Sequence, residues 1–416
     1  MTVGRLTRRQ LLVRVGTAGL GLVVAACSRA VQSLQPVGSP PAGPSASPSS
    51  TSEPTTAAST PAPRPGPDLR TKIAQMLLVG FRGLRPDPDS EVVRDIIDHR
   101  LGGVLLFSFD QPTGSQIRNI ESPDQLKALV AGLQAAAAGT SVGVPLLVAT
   151  DEEGGRVARL GPDHGFPATE SEAALGARND PAYTRAQAEA MAQTLAEAGV
   201  NLNLAPVVDL DLNPENPAIG ALDRSFSADP EVVTSQALAF IAGHHEVGVR
   251  TTLKHFPGQG SATGDTHEGV VDVTEVWSEI ELEPFERVIA AGSADAVLTA
   301  HVFNANLDPR FPATLSKATI GGILRDRIGY DGIVISDDMQ MGAITDAFGY
   351  AHALALAIDA GVDILTIANQ QVFEEGIVAR TVDIIAGHVA GGRITEERID
   401  ASWERIRALK ARLSGG

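Results

Sequence analysis

The stretch Val249-Arg250-Thr251-Thr252-Leu253-Lys254-His255-Phe256-Pro257-Gly258-Gln259-Gly260-Ser261-Ala262-Thr263-Gly264-Asp265-Thr266-His267 decides how the chain is read. Its first part, VRTTLK at 249–254, is a short apolar run of the kind that forms a buried strand. The run ends on a Lys-His pair, and a glycine-rich segment then leads to an Asp and a His two residues apart. Seventy residues beyond His267, a second run, GIVIS at 332–336, ends on Asp337-Asp338. Strands that stop on polar side chains imply a parallel sheet with its chemistry at one end.

Working outward from Asp68, short apolar runs alternate with longer amphipathic stretches, the pattern of β/α units. Eight strands are predicted, at 76–81, 103–107, 145–150, 200–208, 249–254, 296–301, 332–336 and 362–367. Helices are expected between them, for example over 186–198 and 230–246, the latter opened by Asp229-Pro230 as N-cap and first helical residue. The expected fold is α/β, a single-domain (β/α)8 barrel, with a doubly wound sheet as the alternative. Asp151, Lys254, His255, His301 and Asp337 all fall at or just past the C-terminal end of a predicted strand, the face on which barrels carry their sites. After the eighth strand two helices are expected, and no second domain.

Residues 1–27 read as a signal peptide. Thr7-Arg8-Arg9-Gln10-Leu11-Leu12 resembles a twin-arginine export signal, and a small apolar run follows from Val15 to Ala26. Val24-Ala25-Ala26-Cys27 resembles a bacterial lipobox, in which the cysteine becomes the lipidated N-terminus. Cys27 is the single cysteine of the chain, which excludes intramolecular disulfides and cysteine-based metal clusters. Residues 28–68 hold 10 of the 26 prolines among Ser, Thr, Ala and Gly. Such composition cannot offset its ordering entropy, so a disordered tether with a reach of roughly 35 to 120 Å is expected. The expected location is therefore outside the cell, lipid-anchored to the outer face of the membrane or envelope. The formal net charge of −17 argues against a nucleic-acid partner.

Within the predicted barrel, residues 69–416, Asp337 suits either a helix N-cap or an ionised nucleophile kept charged by nearby cations. Asp265 and His267, flanked by Gly260, Gly264 and Gly269, suit either an Asx-turn or a general acid/base pair in which the Asp orients the imidazole. The glycines then act as hinges for a closing loop.

Four motifs carry a family resemblance: Asp151-Glu152-Glu153-Gly154-Gly155-Arg156-Val157 with Arg159; Asp223-Arg224-Ser225-Phe226; Lys254-His255-Phe256-Pro257-Gly258 through Asp265-Thr266-His267; and Ser336-Asp337-Asp338-Met339. Pro312-Ala313-Thr314-Leu315-Ser316 adds a fifth piece. In this order they resemble glycoside hydrolase family 3 and, within it, the β-N-acetylglucosaminidases, from about Asp68 to Leu413. The resemblance implies Asp337 as nucleophile, His267 as acid/base with Asp265 as its partner, and Asp151, Arg159, Arg224, Lys254 and His255 as ligands of the non-reducing-end sugar. For Arg159 and Arg224 a structural ion pair is the competing reading. Many family members add a second domain to the site; here the Asp-x-His loop supplies the acid/base from the barrel itself, a feature the resemblance associates with N-acetylglucosamine substrates. Gln259 departs from the family, whose members often carry His there.

The implied reaction is retaining hydrolysis of terminal β-linked N-acetylglucosamine through a covalent glycosyl-enzyme, without metal or organic cofactor. The expected substrates are cell-wall fragments such as muropeptides or the disaccharide of N-acetylglucosamine and N-acetylmuramic acid, and the expected state is a monomer. Water and phosphate both stay open as acceptors, and a β-glucoside preference is a further variant. Two competing classes are a metal-dependent hydrolase using His255, His267, His301 and Asp337, and a sugar-binding lipoprotein, which would need no Asp-His pair facing a carboxylate. Trp277 and Trp403 are the two tryptophans, both expected in helices, which disfavours long polymers as ligands.

Overall fold

The computed structural model describes residues 66–413. The predicted signal peptide at 1–27, its Cys27 and all but the last three residues of the predicted tether lie outside the described residues. Asp68 caps the first described helix, Leu69–Gln75, by accepting the Thr71 N–H at 2.7 Å.

Eight parallel strands follow one another around a barrel: β1 Leu77–Gly80, β2 Gly103–Leu105, β3 Leu147–Thr150, then, after a small hairpin of β4 Glu152–Gly154 and β5 Val157–Ala158, β6 Leu202–Asn203, β7 Arg250–Phe256, β8 Ala296–Thr299, β9 Ile333–Ser336 and β10 Leu365–Ile367. Neighbours are in chain order, and β10 pairs with β1. The seam between β9 and β10 is closed by an Ile335–Ile364 bridge, with the Ser336 N–H donating to the Ile364 carbonyl at 2.9 Å. Each barrel strand matches one of the eight apolar runs. The fourth is a regular strand only over Leu202–Asn203, because Pro206 has no N–H to add to the ladder. The predicted run of 200–208 nevertheless stays paired with β7 beyond it: the Thr252 N–H donates to the Ala205 carbonyl at 2.8 Å, and Val207 bridges Lys254.

The crossover helices cover the outside. Pro230–Glu246 has the predicted bounds, with Asp229 accepting the Glu231 N–H at 2.9 Å. Pro181–Glu197 begins five residues earlier than its periodicity suggested, because Asp180-Pro181 supplies the same cap and first-turn proline. Phe285, on helix Glu283–Ala290, meets Phe256 edge to face with centroids 5.3 Å apart. Such a pair adds about 0.5–1.5 kcal/mol to the area it buries.

The last helices, Ile377–Ala390 and Glu396–Ala411, are the two expected after the eighth strand. Glu396–Ala411 is fixed to the N-terminal end of the barrel by buried Asp363, which accepts from Ser402 at 2.8 Å and from Arg398 and Arg405 at 3.3 Å. Trp403 lies on this helix, whereas Trp277 lies outside any helix and donates its ring N–H to the Pro257 carbonyl at 3.1 Å. Both rings are thereby turned to packing.

Candidate active site

At the C-terminal ends of the strands lies a cavity of about 440 Å³, within the range of small-molecule sites. Asp151, Arg159, Arg224, Lys254, His255, His267 and Asp337 all line it. Every predicted site residue of the barrel is therefore brought to one place except Asp265, which stands behind His267.

The floor is a charge network. Lys254, at the end of β7, places its ammonium 2.8 Å from Asp151, just past β3, and 2.5 Å from Glu153 in β4. Arg224 grips Glu153 in two-pronged fashion, Nε to Oε2 at 2.7 Å and Nη2 to Oε1 at 2.8 Å. Arg159 stands 3.6 Å from the other oxygen of Asp151. Burial alone would raise the carboxyls of Asp151 and Glu153, but these cations outweigh it and hold both below the ordinary carboxylate range. Burial would likewise strip Lys254 of its proton, and the two carboxylates raise it instead. The result is a set of permanently charged acceptors and donors suited to hydroxyl groups. Arg159 and Arg224 are ion-paired as the competing reading held, and they line the cavity as well, so the two readings describe the same side chains.

His255, 5 % exposed, is fixed by Asp209: Nδ1 lies 2.7 Å from Oδ2, and the His255 backbone N–H donates to the same oxygen at 3.2 Å. The proton on Nδ1 leaves Nε2 toward Arg224, 3.3 Å away. The other Asp209 oxygen accepts the Gln259 N–H at 2.9 Å, so the residue that departs from the family pattern is buried and bonded through its backbone. Neither Asp209 nor Glu153 was assigned a role from sequence. A charged residue inside the apolar run LAPVVDL was the one available signal for Asp209.

Asp337 follows β9 on the opposite wall. It caps no helix: the next one, Gly342–Phe348, begins after Met341, and Asp338 uses Oδ1 to accept the N–H groups of Gln340 at 3.1 Å and Ala368 at 2.9 Å. Asp337 Oδ1 accepts the Asp338 N–H at 2.8 Å. Burial would raise the Asp337 carboxyl, yet His301, His255 and His267 around it bring it below its ordinary value. A half-buried, ionised carboxylate at a cavity wall can attack an electrophilic carbon. His301 is spent on structure, with Nδ1 2.8 Å from the Thr314 hydroxyl and Nε2 2.9 Å from the Asp338 carbonyl.

His267 sits on the glycine-rich loop, its side chain 59 % exposed and its Nδ1 2.7 Å from Asp265 Oδ1. The same oxygen accepts the His267 backbone N–H at 2.9 Å, the mark of an Asx-turn. Turn and pair are one device here. Gln371, after β10, donates to the His267 carbonyl at 3.3 Å.

These features have counterparts in known proteins. The glycosyl hydrolase family 3 N-terminal domain matches residues 68–409. A β-hexosaminidase A of Pseudoalteromonas piscicida is 32 % identical over 335 residues, covering 75 % of this chain and 54 % of the relative. A β-hexosaminidase of Tolumonas auensis is 37 % identical over 301 residues, covering 71 % and 83 %. A solved family 3 β-N-acetylglucosaminidase from Paenibacillus superposes with a TM-score of 0.75 at 35 % identity, over 84 % of this chain and 63 % of that one. The chain thus spans little more than half of the first relative and under two thirds of the solved enzyme. The match along nearly the whole barrel shows that the chain belongs to glycosyl hydrolase family 3.

Proposed function

We propose that the protein is a retaining exo-β-N-acetylglucosaminidase that removes terminal β-linked N-acetylglucosamine through a covalent glycosyl-enzyme. One observation carries the reading: an ionised Asp337 and an Asp265-backed His267 line the same cavity, whose floor is a charged, hydroxyl-binding network. The β-hexosaminidase and β-N-acetylglucosaminidase names of the relatives support the acetamido sugar.

In this mechanism Asp151, Arg159, Arg224, Lys254 and His255 hold the non-reducing-end sugar by its hydroxyls. His267 protonates the glycosidic oxygen as Asp337 attacks the anomeric carbon. The C–O bond to the leaving group breaks and an ester to Asp337 forms. His267, now neutral, takes a proton from water, which attacks the same carbon and returns the electron pair to Asp337, with net retention. The ring proton on Nδ1 faces Asp265, so Nε2 is the atom that exchanges protons with substrate. No metal or organic cofactor takes part.

The proposed setting is the outer face of the membrane, with Cys27 lipidated after export and residues 28–68 as the tether of a monomeric domain at 69–416. Peptidoglycan-derived fragments are then the substrates at hand. Partition of the protein into detergent, lost in Cys27→Ala, tests the anchor.

The test of function is turnover of an aryl β-N-acetylglucosaminide beside the matching glucoside and xyloside. Preference for the acetamido sugar, abolished in Asp337→Ala, is expected. Binding of the sugar without turnover of any glycoside would refute the hydrolase and favour a sugar-binding protein.

A further inference from the structure

Glu281 is a fully buried acid that the reaction above does not use. It lies in the helical turn Glu279–Leu282, and both of its oxygens are turned to the root of the glycine-rich loop. Oε2 accepts the Gly260 N–H at 2.8 Å and the Ser261 N–H at 3.5 Å, while Oε1 accepts the Ser261 hydroxyl at 2.5 Å. Burial pushes the Glu281 carboxyl up to about 7, and the bonds from Ser261 and Gly260 work against that rise. A carboxyl kept in so costly a place by the donors of one loop is specific to that loop.

The root is held from other sides too. Asp209 accepts the Gln259 N–H at 2.9 Å, Asn216 donates to the Gln259 carbonyl at 2.7 Å, and Asn213 donates to the Ala262 carbonyl at 2.8 Å. Gly260 is pressed so closely on the barrel that a Cβ there would stand 1.7 Å from the Leu210 carbonyl oxygen. The far root is fixed as well, by the Val273 and Phe303 N–H groups donating to the Phe303 and Val271 carbonyls at 2.8 Å. Between these roots the tip is different: Thr263, His267, Glu268 and Val270 are exposed. Apart from the Gln371 bond to the His267 carbonyl at 3.3 Å, the direction in which the tip carries His267 is set where the loop leaves the barrel.

We propose that Glu281 is a positioning residue for the reaction, tying Gly260 and Ser261 to the barrel wall so that the loop delivers His267 to the glycosidic oxygen. The proposal rests on the hydrolase reading above. It predicts that disturbing Glu281 weakens proton transfer rather than sugar binding.

The experiment compares the wild-type chain with Glu281→Gln and Ser261→Ala. Ser261→Ala removes one bond without altering a buried acid, and so carries the test where Glu281→Gln fails to fold. Two aryl β-N-acetylglucosaminides are used, one with phenol and one with dinitrophenol as leaving group, with and without azide. Dinitrophenolate leaves without a proton, and azide opens the Asp337 ester without a general base: its lone pair forms the new bond to carbon, and the ester electron pair returns to Asp337.

For Glu281→Gln, kcat/KM on the phenyl glycoside falls by roughly 10- to 100-fold, less than the roughly 10²- to 10⁴-fold of a general acid–base group, because the group is displaced and not removed. It falls far less on the dinitrophenyl glycoside, and azide raises kcat there. Ser261→Ala shifts in the same direction by less. Equal losses on both leaving groups without azide rescue, or wild-type behaviour in both variants, would overturn the proposal. A wild-type chain inactive on both glycosides would overturn the hydrolase reading itself.

Discussion

Asp265 holds His267 twice with one oxygen: Oδ1 accepts the ring Nδ1–H at 2.7 Å and the backbone N–H at 2.9 Å. The ring is thereby set against the backbone that carries it, and Nε2 is the nitrogen left for the substrate in the cavity that His267 lines. Removing the carboxylate releases both the tautomer and the turn. Asp265→Ala is expected to lose roughly 10²-fold in kcat/KM on an aryl glycoside with a poor leaving group. Asp265→Asn keeps an acceptor oxygen and is expected to lose less. Steady-state kinetics of the two variants side by side check the order.

Glu153 offers a prediction of a different kind. It is 1 % exposed and neutralises both Lys254 and Arg224. Glu153→Ala leaves two cations at the cavity floor short of a partner, and breaking a buried pair from one side costs about 3–5 kcal/mol. Chemical denaturation should show a loss of that order, accompanied by a raised KM. A loss under about 1 kcal/mol would mean that the network is solvated and weak.

Much of this arrangement was legible in the sequence, and the reasons differ by level. A barrel strand is buried on both sides, so each one left an apolar run, and its exit onto a polar residue marked the face that carries chemistry. The helix at 230–246 was legible from its cap, and the missed first turn of Pro181–Glu197 had the same cap in Asp180-Pro181. Partners that meet only through folding were not legible. Asp209 lies 46 residues from His255, Glu153 lies 71 residues from Arg224, and no local pattern joins either pair. Asp337 and Asp338 misled in one respect, since a strand-end aspartate looks like a cap. The helix starts at Gly342, and Asp338 instead ties its own turn to Ala368.

Glu152, beside Glu153 in sequence, predicts a pH dependence of stability. Burial is the main cause that raises its carboxyl to about 7 from an ordinary 4.5, although the Leu160 N–H donates to it at 2.8 Å. The native state thus binds the proton more tightly than the unfolded chain. Its contribution is complete below about pH 4.5 and is lost as pH rises through 7. Thermal unfolding of wild type and Glu152→Gln should show wild type losing more stability than the variant between the two ends of that window. Parallel curves would place the titration elsewhere.

The most direct measurement of the central claim is the mass of the protein caught during turnover. His267→Ala, fed an activated dinitrophenyl β-N-acetylglucosaminide, should form the glycosyl-enzyme readily and hydrolyse it slowly. Acid quenching and peptide mapping should then find one N-acetylhexosaminyl group on the peptide containing Asp337, absent in the Asp337→Ala double variant. A stoichiometric adduct on another residue, or product released with inverted configuration and no adduct at any time, would contradict the account.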